Sequence, residues 1–284
     1  ATTSPELAGY LNTIGGRSQQ FTWASPITNS VLADFRFGNM LARWGPYDMP
    51  GNPTRDLARV TEQCAAGCAA NGGIAGLNYR SANWQSNWAG VHNWRASLSH
   101  VTGAHNRKFG YIGTLFIDDR KTFGNSFNLT YRVNNGLPNG VTQSALPMEL
   151  HQRTRYNAFY AQEQWTLSRT TLQGAIRYDR SWSYFPEQTL PPSNYLPFTV
   201  SYPRTEGVRG YNNISPRFGV AYDLFGNAKT ALKFNIGKYL EASSNGVGFY
   251  STTNPINRLT TTSGIRTWND LNGNFFPDCD LLNM

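Results

Sequence analysis

The chain reads as an all-β protein, an antiparallel transmembrane β-barrel wall with long extracellular loops. Three observations predict this: apolar and polar residues alternate in paired stretches, each pair is joined by a short polar turn, and much longer irregular segments separate the pairs. Side chains alternate across a strand, so a two-residue period gives each stretch one apolar and one polar face. Outer-membrane barrels have short periplasmic turns and long extracellular loops, so the alternation of connection length assigns a topology. A soluble β-sandwich or propeller also alternates strands and turns, but seldom combines strands and loops this long at every second connection.

The clearest hairpin spans residues 156–183. In its second strand Leu172, Gly174, Ile176, Tyr178 and Trp182 share one face, opposite Thr171, Gln173, Arg177, Asp179, Ser181 and Ser183, and Arg180 alone breaks the apolar row. Its first strand, 156–167, sets Phe159, Ala161, Trp165 and Leu167 against Ala158, Tyr160, Gln162, Gln164 and Thr166, with Glu163 as the misfit. Ser168, Arg169 and Thr170 make the turn. Strands of ~12 residues exceed the ~5–6 usual in soluble sheets and slightly exceed the ~9–11 that cross a bilayer at a tilt.

A second hairpin places Phe218, Val220, Tyr222 and Leu224 on one face, turns through 225–228, and returns with Leu232, Phe234 and Ile236. A third joins 91–102 (Trp94, Ala96, Leu98) to 108–117 (Phe109, Tyr111, Leu115, Ile117) through Gly103, Ala104, His105 and Asn106. The fourth joins 19–24 to 30–38 through 25–29, with Pro26 in the turn. That makes about eight strands. The connections between hairpins, 39–90, 118–155, 184–214 and 241–284, are rich in Gly, Pro, Asn and aromatic residues.

Composition fits this class and excludes others. With 39% hydrophobic residues and a mean hydropathy of −0.47, no run approaches the ~18 apolar residues of a spanning helix. Aromatic residues make up 14%. Trp23, Trp94, Tyr111, Tyr160, Trp165, Tyr178, Trp182, Tyr222 and Tyr239 lie in or beside strands, as interfacial girdles require, although any one of them suits core packing equally well. The net charge of +8 is dispersed, with no basic run longer than Arg107-Lys108 or Arg120-Lys121 and no nucleic-acid-binding motif. A cationic surface facing outer-membrane lipid and anionic lipopolysaccharide, or a polar lumen, accounts for the charge better than nucleic acid.

Cys64 and Cys68 flank a small-residue turn, and a disulfide between them suits an oxidising exterior; metal ligation is the alternative, but no second Cys or His pair follows at zinc spacing. Cys279 is left over. Asp270, Asn272, Asn274, Asp278 and Asp280 form an oxygen-rich cluster reminiscent of a calcium loop, with Gly273 for the turn. An EF-hand needs a glutamate at position 12, where this chain has Leu281; the alternative is an Asx-rich surface turn. No nucleophile elbow, phosphate-binding glycine loop or zinc-protease motif is present, and His92, His100, His105 and His151 do not cluster with acids at ligand spacing along the sequence, so the chain is not expected to be an enzyme. Asn128, Leu129 and Thr130 read as the start of a strand. The chain opens without a signal peptide and ends within a polar loop, which leads us to expect an internal piece of a longer protein.

Several strings carry a family resemblance: residues 43–47 (RWGPY), 103–110 (GAHNRKFG), 128–132 (NLTYR), 155–165 (RYNAFYAQEQW), 174–179 (GAIRYD) and 215–223 (SPRFGVAYD), with 268–274 (WNDLNGN) continuing to Leu281. Across essentially the whole chain they resemble the barrel of TonB-dependent outer-membrane receptors, in particular the Oar-like branch. The resemblance implies that 1–284 is part of one receptor domain, a middle portion of a barrel of about 22 strands. It also implies a bacterial outer-membrane location and energised uptake of a substrate bound by a plug and by extracellular loops. The plug, the TonB box and an N-terminal carboxypeptidase-regulatory-like domain are not in this sequence, so the TonB complex would act through parts outside it.

The loops would then supply the outer substrate site. Tyr184, Phe185, Tyr195, Phe198 and Tyr202, interleaved with prolines and followed by Arg204 and Arg209, offer rings that stack on sugars or peptides and guanidinium groups that fork onto carboxylate or phosphate. The same rings also suit packing of the loop on its neighbours. Two other functions stay open: a passive porin or adhesin-like outer-membrane barrel, and a secreted β-rich binding protein or hydrolase.

Overall fold

The computed structural model describes residues 2–7, 10–11, 16–65, 67–240 and 253–283; residues 241–252 of the fourth expected loop lie outside these. In chain order the strands that build the architecture are β1 (Arg17–Thr28), β2 (Val31–Trp44), β3 (Arg59–Glu62), β4 (Asn78–Tyr79), β5 (Trp84–Thr102), β6 (His105–Phe123) and β7 (Leu129–Asn134). They continue as β8 (Leu137–Ser144), β9 (Met148–Leu167), β10 (Thr170–Phe185), β11 (Asn212–Asp223), β12 (Ala231–Gly237) and β13 (Ser263–Thr267).

One sheet runs β12-β11-β10-β9-β6-β5-β2-β1, antiparallel throughout, with each strand beside its predecessor among the eight. It is an open section of barrel wall, with β1 and β12 at its edges. Cross-strand partners share a face. Trp23, Phe35, Ala96, Tyr111, Phe159, Tyr178 and Ile214 therefore form one continuous row over seven strands. All its large members but Tyr111 are exposed. The next row, Ala24, Asp34, Ser97, Gly110, Tyr160, Arg177 and Ser215, lies on the other face. Buried polar side chains of the wall, among them Thr114, Asp118, Gln152, Thr154, Asp179, Ser181 and Ser215, all keep this second parity. An apolar exterior and a polar interior are what a lipid-embedded barrel requires.

Register adds the stagger of a barrel. His105 pairs with both Thr102 at its own turn and Trp165, which is still two residues short of the end of β9. Thr170, opening β10, pairs with Tyr222, near the end of β11. Successive turns step along the ladder, so the strands tilt against the barrel axis.

The structure corrects the sequence reading in three places. Pro26 lies inside β1, paired with Leu32 beside a register shift, and the turn is at Asn29 and Ser30; a bulge is where a ladder accepts proline. The strands are longer than their alternation: β5 and β6 have 19 residues each and β9 has 20. The long connections are not irregular either. The first, second and fourth build a second sheet, β13-β8-β7-β3-β4, in which β3 and β7 pair in parallel and the other neighbours antiparallel, and the third forms its own ribbon of Gln188–Leu190 with Val200–Tyr202. Its core is Ala58, Val60, Leu129, Tyr131, Val133, Val141 and Trp268, with Tyr79, Tyr195 and Leu281 packed against it. Each of the four expected loops contributes to that core.

Candidate functional site

The site has two parts, the polar face of the wall and the loop sheet at its outer end. On the wall Asp34 accepts from Arg36 Nε at 3.1 Å and lies 3.6 Å from Arg95. Arg177 donates to Asp179 at 2.8 Å, and the Tyr156 hydroxyl joins both. Arg95, Lys108, Tyr160, Gln162, Arg177 and Arg217 line a cavity of about 280 Å³ on this face. The lumen surface is thus polar and predominantly basic, with hydrogen-bonding groups fixed on a rigid ladder. Glu163, the misfit on the apolar face, is met by His105 Nδ1 at 2.5 Å and Arg107 Nε at 3.4 Å, two residues that closely follow the β5–β6 turn.

The loop sheet is tied together by polar contacts between connections. Glu62 Oε1 accepts the N–H of Cys64 at 2.7 Å and of Asn135 at 2.9 Å, and Oε2 accepts the N–H of Gly136 at 3.0 Å. Burial pushes the Glu62 carboxyl up, but these amides outweigh it and hold the group below the usual carboxylate range. Cys64 and Cys68 form a disulfide beside this carboxylate, with Cα atoms 5.1 Å apart; Cys279 is free. Gln188 and Asn254 exchange amide hydrogen bonds at 3.2 and 3.4 Å, and Gln188 also accepts the His151 N–H at 2.9 Å. Neither Glu62 nor this buried amide pair was marked by the sequence, because each works through backbone groups or partners far away in the chain.

The expected substrate residues do not gather at one point. Phe185 is fully buried. Tyr195 packs on the loop-sheet core and donates to the Phe127 carbonyl at 3.0 Å. Burial, reinforced by Tyr131, pushes its phenol up to about 12, so it stays a donor. The Tyr202 hydroxyl bonds Thr260 Oγ1. Phe198 alone of the five rings is broadly exposed, at 60%. Tyr184 carries Arg204 over its ring at 4.5 Å, and it keeps the parity of Tyr178 and so faces outward. Arg209 is exposed nearby.

In the Asx-rich segment the oxygens serve the chain itself. Asp270 accepts the N–H of Asn274 and Phe275, Asn274 that of Phe276, Asp280 that of Leu282, and Asn272 donates to Asp278 at 2.6 Å. That is the geometry of successive Asx turns. Among the described residues no three His, Cys, Asp or Glu side chains gather at metal-holding distance. Apolar side chains are also exposed around the loop sheet, namely Phe127, Leu137, Leu271, Phe275 and Phe276.

Comparison with known proteins agrees with this architecture. Residues 6–276 match the family model described as TonB dependent receptor-like, beta-barrel. The outer membrane transporter YddB from Escherichia coli is similar in structure, with a TM-score of 0.50 at 15% identity over 89% of this chain. The chain spans 29% of that transporter. No curated protein matches. Covering nearly all of the residues that form the wall and its loop sheet, the family match shows that this chain belongs to the TonB-dependent receptor β-barrel family of outer-membrane receptors and transporters.

Proposed function

We propose that this chain forms the wall and outer lip of an Oar-like receptor that draws a substrate across the bacterial outer membrane by energised transport. One observation carries the reading: the wall is built differently at its two ends. At one end the strands meet in tight turns, at 103–104 and 168–169. At the other, three of the four long connections fold into a sheet with its own core, against which the remaining one packs Tyr195. A folded platform beside a polar lumen supplies a surface on which a substrate is held before it passes. Phe198 and the exposed rings of Phe127, Phe275 and Phe276 suit stacking on saccharide rings or peptide side chains. Energy coupling would run through a plug and a TonB contact, to which none of these residues is assigned.

Uptake by the whole receptor tests this. The expected result is transport that stops when TonB is deleted and falls several-fold in a Phe127→Ala/Phe198→Ala double variant. Flux that is independent of TonB and rises linearly with concentration would support a passive channel instead.

A further inference from the structure

A cavity of about 700 Å³ lies where β10 leaves the apolar band, and it is lined by Arg180, Trp182, Arg204, Glu206 and Arg209 among others. Parity places Arg180, Trp182 and Asn212 of its lining on the outside of the wall, while Ser183 and Tyr211, whose ring meets Tyr156 of the polar face, also line it. Tyr178 and its partner Ile214 belong to the exposed apolar row, and Arg180 and Trp182, two and four residues further on, point the same way. Tyr184 pairs with Glu206, which brings the segment containing Arg204 onto that face. Sequence reading grouped Tyr184, Arg204 and Arg209 with a substrate site, but a substrate in the lumen does not reach this side.

The chemistry of the cavity is that of an anion site at a lipid boundary. The Arg180 guanidinium lies 4.9 Å from the Trp182 ring and the Arg204 guanidinium 4.5 Å from the Tyr184 ring. Stacked in this way, a guanidinium presents its N–H edges to a ligand. Arg204 pairs with Glu206 at 3.1 Å, whereas Arg180 and Arg209 make no ion pair among the described residues. Arg155, the cross-strand partner of Trp182, adds a further outward cation. Within the lining itself three guanidinium groups, of Arg180, Arg204 and Arg209, stand against the one carboxylate of Glu206, one strand row beyond the last exposed apolar row, at the level where hydrocarbon gives way to headgroups.

We infer that this cavity binds a phosphate of an outer-leaflet lipid headgroup, the phosphorylated sugar of lipopolysaccharide, clamped by Arg180, Arg204 and Arg209. Arginine forks match phosphate oxygens, and the rings pack against the sugar. The test uses the whole receptor in nanodiscs that contain lipid A either phosphorylated or enzymatically dephosphorylated, with native mass spectrometry counting retained lipid. Wild-type receptor is expected to retain the phosphorylated form roughly tenfold over the other, and Arg180→Gln/Arg209→Gln to lose that preference. Arg180→Lys/Arg209→Lys should recover part of it, and Lys229→Gln, at a turn at the opposite end of the wall, should leave it unchanged. Equal retention of the two lipids by wild type would overturn the inference, and that comparison stands even if the variants fail to assemble. Complete displacement by millimolar inorganic phosphate would also overturn it, because it would make the site one for a soluble anion.

Discussion

Glu62 accepts the backbone N–H of Asn135 at 2.9 Å, joining the end of β3 to the turn between β7 and β8. Through the same carboxylate the turn is tied to the disulfide segment at Cys64. Because the folded-state pKa is depressed, the stabilisation is fully present above the unfolded value of about 4.3. It is lost as pH falls through the lower folded value. Amide exchange at Asn135 and Gly136 is thus expected to gain an opening step, beyond the intrinsic pH effect, only below about pH 4.3. Glu62→Ala should remove the protection at every pH, and unchanged protection in Glu62→Ala would reject the link.

Trp268 closes the loop-sheet core at 3% exposure, with its ring 5.0 Å from that of Tyr131. Trp268→Ala is expected to cost the loop sheet ~3–5 kcal/mol. Since the wall has its own ladder, the variant should be cleaved faster in its loops by external protease while the heat-modifiable gel mobility of the barrel is kept. Loss of both together would mean that the two sheets fold as one unit.

Gly113 lies under the indole of its cross-strand partner Trp94, where an added Cβ would collide with the ring at Trp94 Nε1. Gly113→Val forces the ring away from the wall and is expected to cost ~1–3 kcal/mol. The urea midpoint of the assembled barrel should fall accordingly, and Trp94→Ala/Gly113→Val should recover much of the loss. An unaltered midpoint in the single variant would contradict the contact.

The lipid-facing band was legible in the sequence because hydrocarbon on one side tolerates few exceptions, so Leu172, Ile176 and Tyr178 mark their strand plainly. Beyond Tyr178 that constraint ends. Arg153, Asp119 and His151 occupy outward positions and bind one another, with Arg153 Nη1 at 2.6 Å and His151 Nδ1 at 2.9 Å from Asp119. The ladder runs on to Met148 and Phe185, but the period-two signal does not. The loop sheet was hidden only in part, and for a different reason. Leu129, Tyr131 and Val133 do alternate, and Asn135-Gly136 is a two-residue hairpin turn that joins β7 to β8, so this hairpin was legible but passed over. The parallel partner β3 comes from another connection, a pairing that no hairpin signature announces. The arginine cavity was partly visible, as Arg204 and Arg209 beside aromatic residues. Its direction was not, since only the register of Tyr184 with Glu206 decides which side the segment joins.

Ile176 and Gln173 separate the two faces energetically. Ile176→Lys is expected to destabilise the barrel in bilayers by ~2–4 kcal/mol, whereas Gln173→Lys, on the polar face, should change stability little. The comparison is read from urea unfolding in lipid vesicles, and equal costs would contradict the assignment of faces.

The central claim is that the apolar row touches lipid. Nitroxide labels placed singly from Leu172 to Tyr178 in the membrane-inserted receptor test it most directly, by collision with oxygen, which concentrates in hydrocarbon, and with a water-soluble nickel chelate. We predict that Leu172, Gly174, Ile176 and Tyr178 favour oxygen and that Gln173, Ala175 and Arg177 do not, in strict two-residue alternation. Labels at Leu172, Ile176 and Tyr178 shielded from both reagents, as in the core of a water-soluble sandwich, would contradict it.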